Sequence, residues 1–380
     1  MRKAVAVMAA GVLAAGLVPA SAEAAPRVKV VAKGLDNPRG LVVGRDGTVY
    51  VAESGDAGSR CAGTGEARMC LGRTGAVTAI KNGRKKRLHT GLPSLGLRNS
   101  SASGPQDLAF DSRGRLRLLL GGMSRAELKK FGPGARRLGT VVSLPGRKVL
   151  ADLAAFEAKK NPDGTPPAMD GLNSNPQSFV INRDGSMVVA DGGANDVLHI
   201  SRKGRVRLLA LLPPQCAKLP EGFPADQAPP PGDCAEGEVP AESVPTSVVR
   251  GPDGAYYVGE LTGFPFAAGS ARIWRVTESG RSKVVATGFT NIIDLAFDRR
   301  GNLLVLEISH KGMMSGSTQG ALIRLSKGGK KTVLLGGRLV GPTGLAVTRD
   351  GRYAYISNAG VPGQEGGGKP HRGQVLRYRL

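Results

Sequence analysis

Gly251-Pro-Asp-Gly-Ala-Tyr-Tyr-Val-Gly-Glu260 reads as a tight turn, a short apolar run and a terminal carboxylate. Glycine supplies the positive φ that a tight hairpin turn needs, so Asp-Gly between two apolar runs marks a β-hairpin. The pattern belongs to a repeat at 38–53, 105–121, 176–191, 245–260, 292–307 and 342–358. Each copy is an apolar run, an Asp-Gly or Arg-Gly turn and a second apolar run. A second strand pair follows most copies, as at 76–80 with 86–90, 272–276 with 283–287 and 321–325 with 332–335. A four-strand unit repeated six times predicts an all-β fold, a six-bladed β-propeller of four-stranded blades. The ends fit closure: 373–380 reads as the third strand of the last blade, and 27–34 can supply its fourth. Pairing the N-terminal strand with the C-terminal blade hides the sheet edges.

The chain has 380 residues, only 4% aromatic, with 56 glycines, as a turn-rich β chain requires. The repeats leave no room for a second domain, so 27–380 is expected to be one unit with a Val, Leu and Ala core. Residues 1–24 read as a secretory signal peptide: a basic start at Arg2 and Lys3, an apolar run over 4–18, and cleavage after Ala22 or Ala24. This implies a secreted, extracellular protein, with attachment to the cell wall left open. No later run is long enough to cross a bilayer. The cysteines number four, an even count that in an exported chain reads as disulfides. Of the possible connectivities, Cys61–Cys70 and Cys216–Cys234 close the shortest loops. Neither pair has a CxxC spacing or a nearby histidine, which argues against zinc. Asn99-Ser-Ser101 is a formal glycosylation sequon.

The net charge is +23. In an antiparallel blade, the turns between strands one and two and between strands three and four emerge on one face. The first set carries Arg45, Arg113, Arg115, Arg183, Arg299, Arg300, Arg349 and Arg352, offset by aspartates. The second carries Lys81, Arg84, Lys85, Lys86, Arg87, Arg147, Lys148, Arg202, Lys203, Arg205, Arg207, Arg281, Lys283, Lys327, Lys330 and Lys331, with Glu278 as the acidic exception. One face is therefore expected to be a positive plate, suited to an anionic cell-envelope polymer or simply to solvation. Nucleic acid is the least favoured partner, because these turns lack aromatic side chains for stacking bases.

Long insertions fall on the opposite face, at 54–74, 148–174 and 213–243, and would form a lid over the channel. The second of them begins with a short amphipathic helix over 150–160, with Asp152 near its start. The second strands end on this face at Glu53, Asp191, Glu260, Glu307 and Asn358, with Gly121 in the second blade. The first strands begin there and bring Asn37, Arg39, Asp107, Ser178, Thr246, Ser247, Asp294 and Thr343 toward the axis. Glu53, Asp107, Asp191, Glu260, Asp294, Glu307 and Asn358 are thus a candidate ligand site at the channel mouth. Within it Glu53, Asp191, Glu260 and Glu307 are candidate ligands for Ca2+, which takes oxygen donors. The same residues can equally cap strand ends and bond to loop backbone, and both readings stay open. The chain lacks HExxH, G-x-S-x-G, P-loop and G-x-G-x-x-G motifs. Of the histidines, His89 and His199 fall in outer-strand patterns, and His310 follows the Glu307 strand end.

Glu242-Ser-Val-Pro-Thr-Ser-Val-Val249, Gly251 through Phe266 with its Tyr-Val-Gly-Glu-Leu-Thr-Gly-Phe-Pro core, Gly288-Phe-Thr-Asn-Ile-Ile-Asp-Leu-Ala-Phe297, Asp152-Leu-Ala-Ala-Phe-Glu157 and Asn161-Pro-Asp-Gly164 resemble the ScyD/ScyE family. The resemblance covers essentially the whole mature chain and implies an exported propeller; it carries no settled activity and no pigment role. A wider likeness is to six-bladed gluconolactonases, strictosidine-synthase-like proteins and NHL-repeat proteins. The metal-dependent lactonases carry a ligand carboxylate at a first-strand start. Here those positions hold Arg39, Gln106, Gln177, Thr246, Ile293 and Thr343, a departure from that pattern. Two functions remain in view: a non-catalytic ligand- or polymer-binding propeller at the cell envelope, and a divalent-metal-dependent hydrolase or lactonase acting on a small extracellular molecule.

Overall fold

The computed structural model describes residues 27–65, 68–97, 100–165, 172–360 and 372–380. The expected signal peptide at 1–24 and Asn99 of the sequon lie outside the described residues. Six four-stranded blades stand round one axis; in blades 1 to 5 the strands run in chain order from the inside outward, and two short strands extend the sheet of blade 1. Their innermost strands are Pro38–Val43, Pro105–Phe110, Pro176–Ile181, Pro245–Arg250, Ile292–Phe297 and Gly344–Val347, which define blades 1 to 6. Neighbouring innermost strands pack side by side right round the ring. Blade 6 closes as expected. Its third strand, Gly373–Arg379, pairs antiparallel with Val28–Leu35, from Val28 opposite Tyr378 to Leu35 opposite Gly373.

The turns follow the sequence closely. In the opening stretch the Gly251 N–H donates to the Ala255 carbonyl (2.8 Å) and the Gly254 N–H to the Gly251 carbonyl (3.0 Å). Gly254 sits at φ +80°, where a side chain would be strained. Beyond the turn, Tyr256 and Tyr257 point to opposite faces of the blade, as the period of two requires. Tyr256 joins the apolar core shared with blade 3, and Tyr257 packs against the core shared with blade 5. Every blade interface has such a core, and Leu, Val, Ile and Ala dominate it. Burying these faces against neighbours is what holds the blades together; each buried Leu or Val contributes about 1.5–3 kcal/mol relative to exposure.

Several local readings change. The helix near 150–160 starts at Leu153 and runs to Lys160, with Asp152 as its N-cap accepting from the Ala155 N–H (2.9 Å). The residues before it form the outer strand Val149–Asp152 of blade 2, because their carbonyls and N–H groups pair with Thr140–Ser143. A second helix, Arg125–Lys130, has no counterpart in the repeat. Its Leu128 packs with Leu71, Leu95, Phe131, Ala135 and Leu138 in a satellite core. Among the described residues no helix is long and apolar enough to cross a membrane.

Both expected disulfides are present, Cys61–Cys70 and Cys216–Cys234, and no described cysteine is free. The first staples Arg60–Ala62 to the inner part of Met69–Lys81, where the two cysteines are cross-strand partners. The second closes the insertion that carries the hairpin Gln215–Lys218 with Glu238–Ala241. Among the described residues this hairpin pairs with no blade strand and touches the body through the Gln215 amide, which donates to the Ser270 carbonyl (2.8 Å), so the cross-link supplies part of its local stability. Its removal in a Cys216→Ser, Cys234→Ser variant is expected to weaken the hairpin by about 3 kcal/mol. Limited proteolysis then should cut first within 219–237 while the blades stay intact. Cleavage unaffected by the substitution would show that the cross-link is not what orders this segment.

Candidate functional site

The innermost strands of blades 1 to 5 begin with an irregularity, which in blades 2 to 5 turns one polar side chain toward the next blade. In blade 3, Pro176 is opposite Asp191 and Ser178 is opposite Ala190, so Gln177 is the extra residue of a β-bulge. The same shift separates Pro105 from Asp107, Pro245 from Ser247, and Ile292 from Asp294. A bulge re-aims the residue next to it. The corresponding positions round the channel are Gly40, Asp107, Ser178, Ser247, Asp294 and Gly344.

These side chains form a relay of interblade latches. The Phe179 N–H of blade 3 donates to Asp107 Oδ2 of blade 2 (3.0 Å), and the Val248 N–H of blade 4 donates to Ser178 Oγ (3.4 Å). The Leu295 N–H of blade 5 donates to Ser247 Oγ (3.0 Å), and the Leu345 N–H of blade 6 donates to Asp294 Oδ2 (2.7 Å). Ser247 Oγ also donates to Asp294 Oδ1 (2.8 Å). The relay stops at the glycines of blades 6 and 1. There Thr343 Oγ1 donates to the Pro38 carbonyl (2.6 Å) and Ser357 Oγ to the Arg39 carbonyl (2.6 Å), so hydroxyls close the seam. Burial pushes Asp107 up to about 7, with Asp294 across the channel as the second cause; burial likewise raises Asp294 to about 6. Arg39 is 8% exposed, donates to Ser101 Oγ (2.8 Å) and the Ala102 carbonyl (3.2 Å), and has no carboxylate partner among the described residues. Burial brings it down to about 10.

The strand-end acids are placed differently from an open ring of ligands. Glu53, Asp191, Glu260 and Glu307 are at most 1% exposed. Each bonds within its own blade, to the segment just before the innermost strand or to the next strands. Glu53 accepts from the Asp36 N–H (2.7 Å) and from Arg87 Nη2 (2.8 Å), and also from Thr78 Oγ1. Asp191 accepts from the Asn175 N–H (2.7 Å) and Ser174 Oγ (2.6 Å). Glu260 accepts from Ser243 Oγ (2.6 Å), Trp274 Nε1 (2.9 Å) and both the N–H (2.9 Å) and guanidinium (2.5 Å) of Arg272. Glu307 accepts from the Thr290 N–H (2.7 Å) and meets His310 Nδ1, which makes His310 the one described histidine at this acid ring. Asn358 Oδ1 takes the Val340 N–H (2.8 Å). The donors differ but the role repeats: a strand-end oxygen ties down the chain entering the same blade. The oxygens of Glu53, Asp191, Glu260 and Glu307 are thus occupied by donors of their own blades. No group of three described His, Cys, Asp or Glu side chains is placed to hold a metal ion.

The turn face is as basic as its sequence. Arg45, Arg84, Lys86, Arg113, Arg202, Lys203, Arg205, Arg281, Lys283, Lys327 and Lys330 are all exposed. The Lys81–Asp46 pair (2.7 Å) joins a strand three–four turn to a strand one–two turn, which places both turn sets on one face. Arg87 does not belong to that plate, since it reaches inward to Glu53 and Asp36. Lys85, Arg147 and Lys331 are interblade staples. Lys85 Nζ donates to the Lys33 and Gly34 carbonyls of blade 6 (2.7 and 2.5 Å), and Lys331 Nζ to the Thr287 and Gly288 carbonyls of blade 4 (2.5 and 2.7 Å). Arg147 does the same to Thr90 and Gly91 of blade 1. Between blades 3 and 4 the turn face opens into a cleft of about 820 Å³ lined by Arg183, His199, Arg207, Arg250, Tyr256 and Glu278 among others.

No family model matches the chain, and no curated protein matches it. Solved structures do. A gluconolactonase from Xanthomonas campestris aligns over 93% of this chain and 89% of its own, at 10% identity and a TM-score of 0.51. A protein of unknown function from Bacteroides thetaiotaomicron aligns over 93% and 75%, at 10% identity and a TM-score of 0.52. Virginiamycin B lyase from Staphylococcus aureus aligns over 93% and 99%, at 12% identity and a TM-score of 0.46. At such identities what this chain has in common with them is the propeller fold.

Proposed function

We propose that this is an exported, non-catalytic propeller of the ScyD/ScyE type that adheres through its turn face to an anionic polymer of the cell envelope. The observation that carries the reading is the segregation of charge. The acids at the strand ends are turned inward and bonded, whereas the lysines and arginines of the turns are exposed. A field of one sign over a broad face raises the local concentration of a polyanion and speeds its capture. The disulfides suit an oxidising compartment outside the cytoplasm.

Binding to heparin, used as a soluble polyanion, is expected near physiological salt and should fall steeply as salt rises. Reversing the outermost turn of blade 3 (Arg202→Glu, Lys203→Glu, Arg205→Glu) should weaken it about tenfold, roughly 1.4 kcal/mol, without changing the thermal unfolding temperature. Binding that ignores salt, or survives the triple reversal unchanged, refutes the electrostatic reading. Turnover of a lactone by the purified chain would instead favour the metal-dependent lactonase.

A further inference from the structure

We propose that Glu157, Asp196 and the amide oxygens of Asn161 and Asn173 form a calcium site that ties the helix Leu153–Lys160 to blade 3. Ten buried side-chain nitrogen or oxygen atoms among the described residues have no hydrogen-bond partner. Six of them are Glu157 Oε1 and Oε2, Asp196 Oδ1 and Oδ2, Asn161 Oδ1 and Asn173 Oδ1. All six are oxygens, and two whole carboxylates are among them. Glu157 is 1% exposed and Asp196 is 0% exposed. Neither forms an ion pair with any described lysine, arginine or histidine.

These oxygens belong to three neighbouring segments, and Glu157 lies near enough to Asp196 to disfavour its ionisation. Glu157 and Asn161 lie one helical turn apart, and the Asn161 N–H donates to the Glu157 carbonyl (2.9 Å) as the helix ends. Asp196 opens the third strand of blade 3, directly opposite Asp191. Asn173 backs onto Gly193 in the connection between those two strands. Asn195 Nδ2 reaches Asp163 Oδ2 (3.4 Å), which links the helix-exit loop to the start of that third strand.

Two further acids surround the site without joining it. Asp163 is held by the N–H and hydroxyl of Thr165 (3.0 and 2.9 Å), and Asp191 by Ser174, Asn175 and Gly193. The direct set is thus two carboxylates and two amide oxygens, so no three acids need converge. Burial, then Asp191 and Asp163, raise Glu157 to about 8; burial, then Asp191, Glu157 and Asp163, push Asp196 well above the ordinary carboxylate range. Buried carboxylates without donors are costly unless a cation or a proton compensates them. Protonating both carboxyls supplies two O–H donors, which can satisfy at most four of the six oxygens. A hard cation satisfies all of them. An oxygen-only set of up to six donors, on a helix end and glycine-containing loops, suits Ca2+ better than the smaller and stricter Mg2+.

The test uses the full chain, stripped with EDTA and titrated with Ca2+ or Mg2+ at neutral pH. One Ca2+ per chain is expected by metal analysis after dialysis, with a rise in Tm of about 5 °C at a hundredfold excess over Kd. Mg2+ should raise it less. The E157Q, D196N double variant should lose the Ca2+ response, yet unfold in EDTA at or above the wild-type temperature, because the cost of desolvating or protonating two buried acids is gone. Absence of Ca2+ binding at millimolar concentration, or a Ca2+ response that persists in the double variant, overturns the site. Should the double variant not fold, Asn161→Ala removes one donor and should weaken Ca2+ about tenfold; an unchanged affinity overturns the site equally.

Discussion

Glu260→Ala is expected to destabilise the fold by about 3–5 kcal/mol, the range for stripping one partner from a buried charged network. Glu260 has no exposure, and its two oxygens accept from Ser243, the Arg272 backbone, the Arg272 guanidinium and the Trp274 indole. Arg272 also stacks over the Trp274 ring at 4.8 Å. Alanine leaves the partly buried Arg272 guanidinium with only the Pro213 carbonyl (2.9 Å) as acceptor and the Trp274 indole N–H with none, at the desolvation cost of unmet donors. The chain has a single tryptophan, so its emission reports directly on this clasp. Denaturant unfolding followed by tryptophan fluorescence should show an earlier midpoint and a shifted native emission maximum. Glu260→Gln should recover part of the loss, since its carbonyl can accept while its amide faces donors. A wild-type midpoint in Glu260→Ala would remove the clasp and return Glu260 to the role of a free ligand at the mouth.

Between pH 8 and pH 5 the folded protein is expected to gain stability, and Asp107 and Asp294 supply part of the slope, beside the buried acids Asp191, Glu157 and Asp196. Burial raises both in the folded channel, to about 7 and about 6, whereas an unfolded aspartate titrates near 3.8. An acid that holds its proton more tightly when folded binds more protons in the native state. Its protonation therefore favours folding, fully below the unfolded value. The advantage is lost as pH rises through the window between about 4 and 7. At 1.36 kcal/mol per unit, Asp107 has a ceiling of about 4 kcal/mol, and about 2 kcal/mol is the reasonable expectation after relaxation of the channel. Denaturation midpoints measured from pH 5 to pH 8 should fall as pH rises. An Asp107→Asn, Asp294→Asn variant should flatten that dependence, whatever its stability at any one pH. A double variant as steep as the wild type would place the titration elsewhere.

The two predictions rest on residues of one kind in the sequence, carboxylates at strand termini, which the fold uses in two ways. Both sets were legible as positions. Their partners were not, because a bond such as Phe179 N–H to Asp107 joins residues in different blades, and the bulge that aims Asp107 leaves no mark in composition or spacing. Arg87 shows the same limit. It reads as one more basic turn residue, but the outer strand carries it to where Glu53 and Asp36 lie within reach. The unpartnered oxygens of Glu157 and Asp196 could not be read from the chain at all, since only packing shows which carboxylates lack donors.

What the sequence determined by itself is the architecture: the blade count, the turn positions, the closure by Val28–Leu35 and both disulfides. These follow from local chemistry repeated in register, namely glycine at positive φ between apolar runs of period two, and cysteines near each other along the chain. The tertiary structure alone decided what each polar side chain does. Hydrogen bonding and desolvation depend on neighbours brought in from other blades, and a carboxylate is a ligand, a clasp or a latch according to which donors surround it.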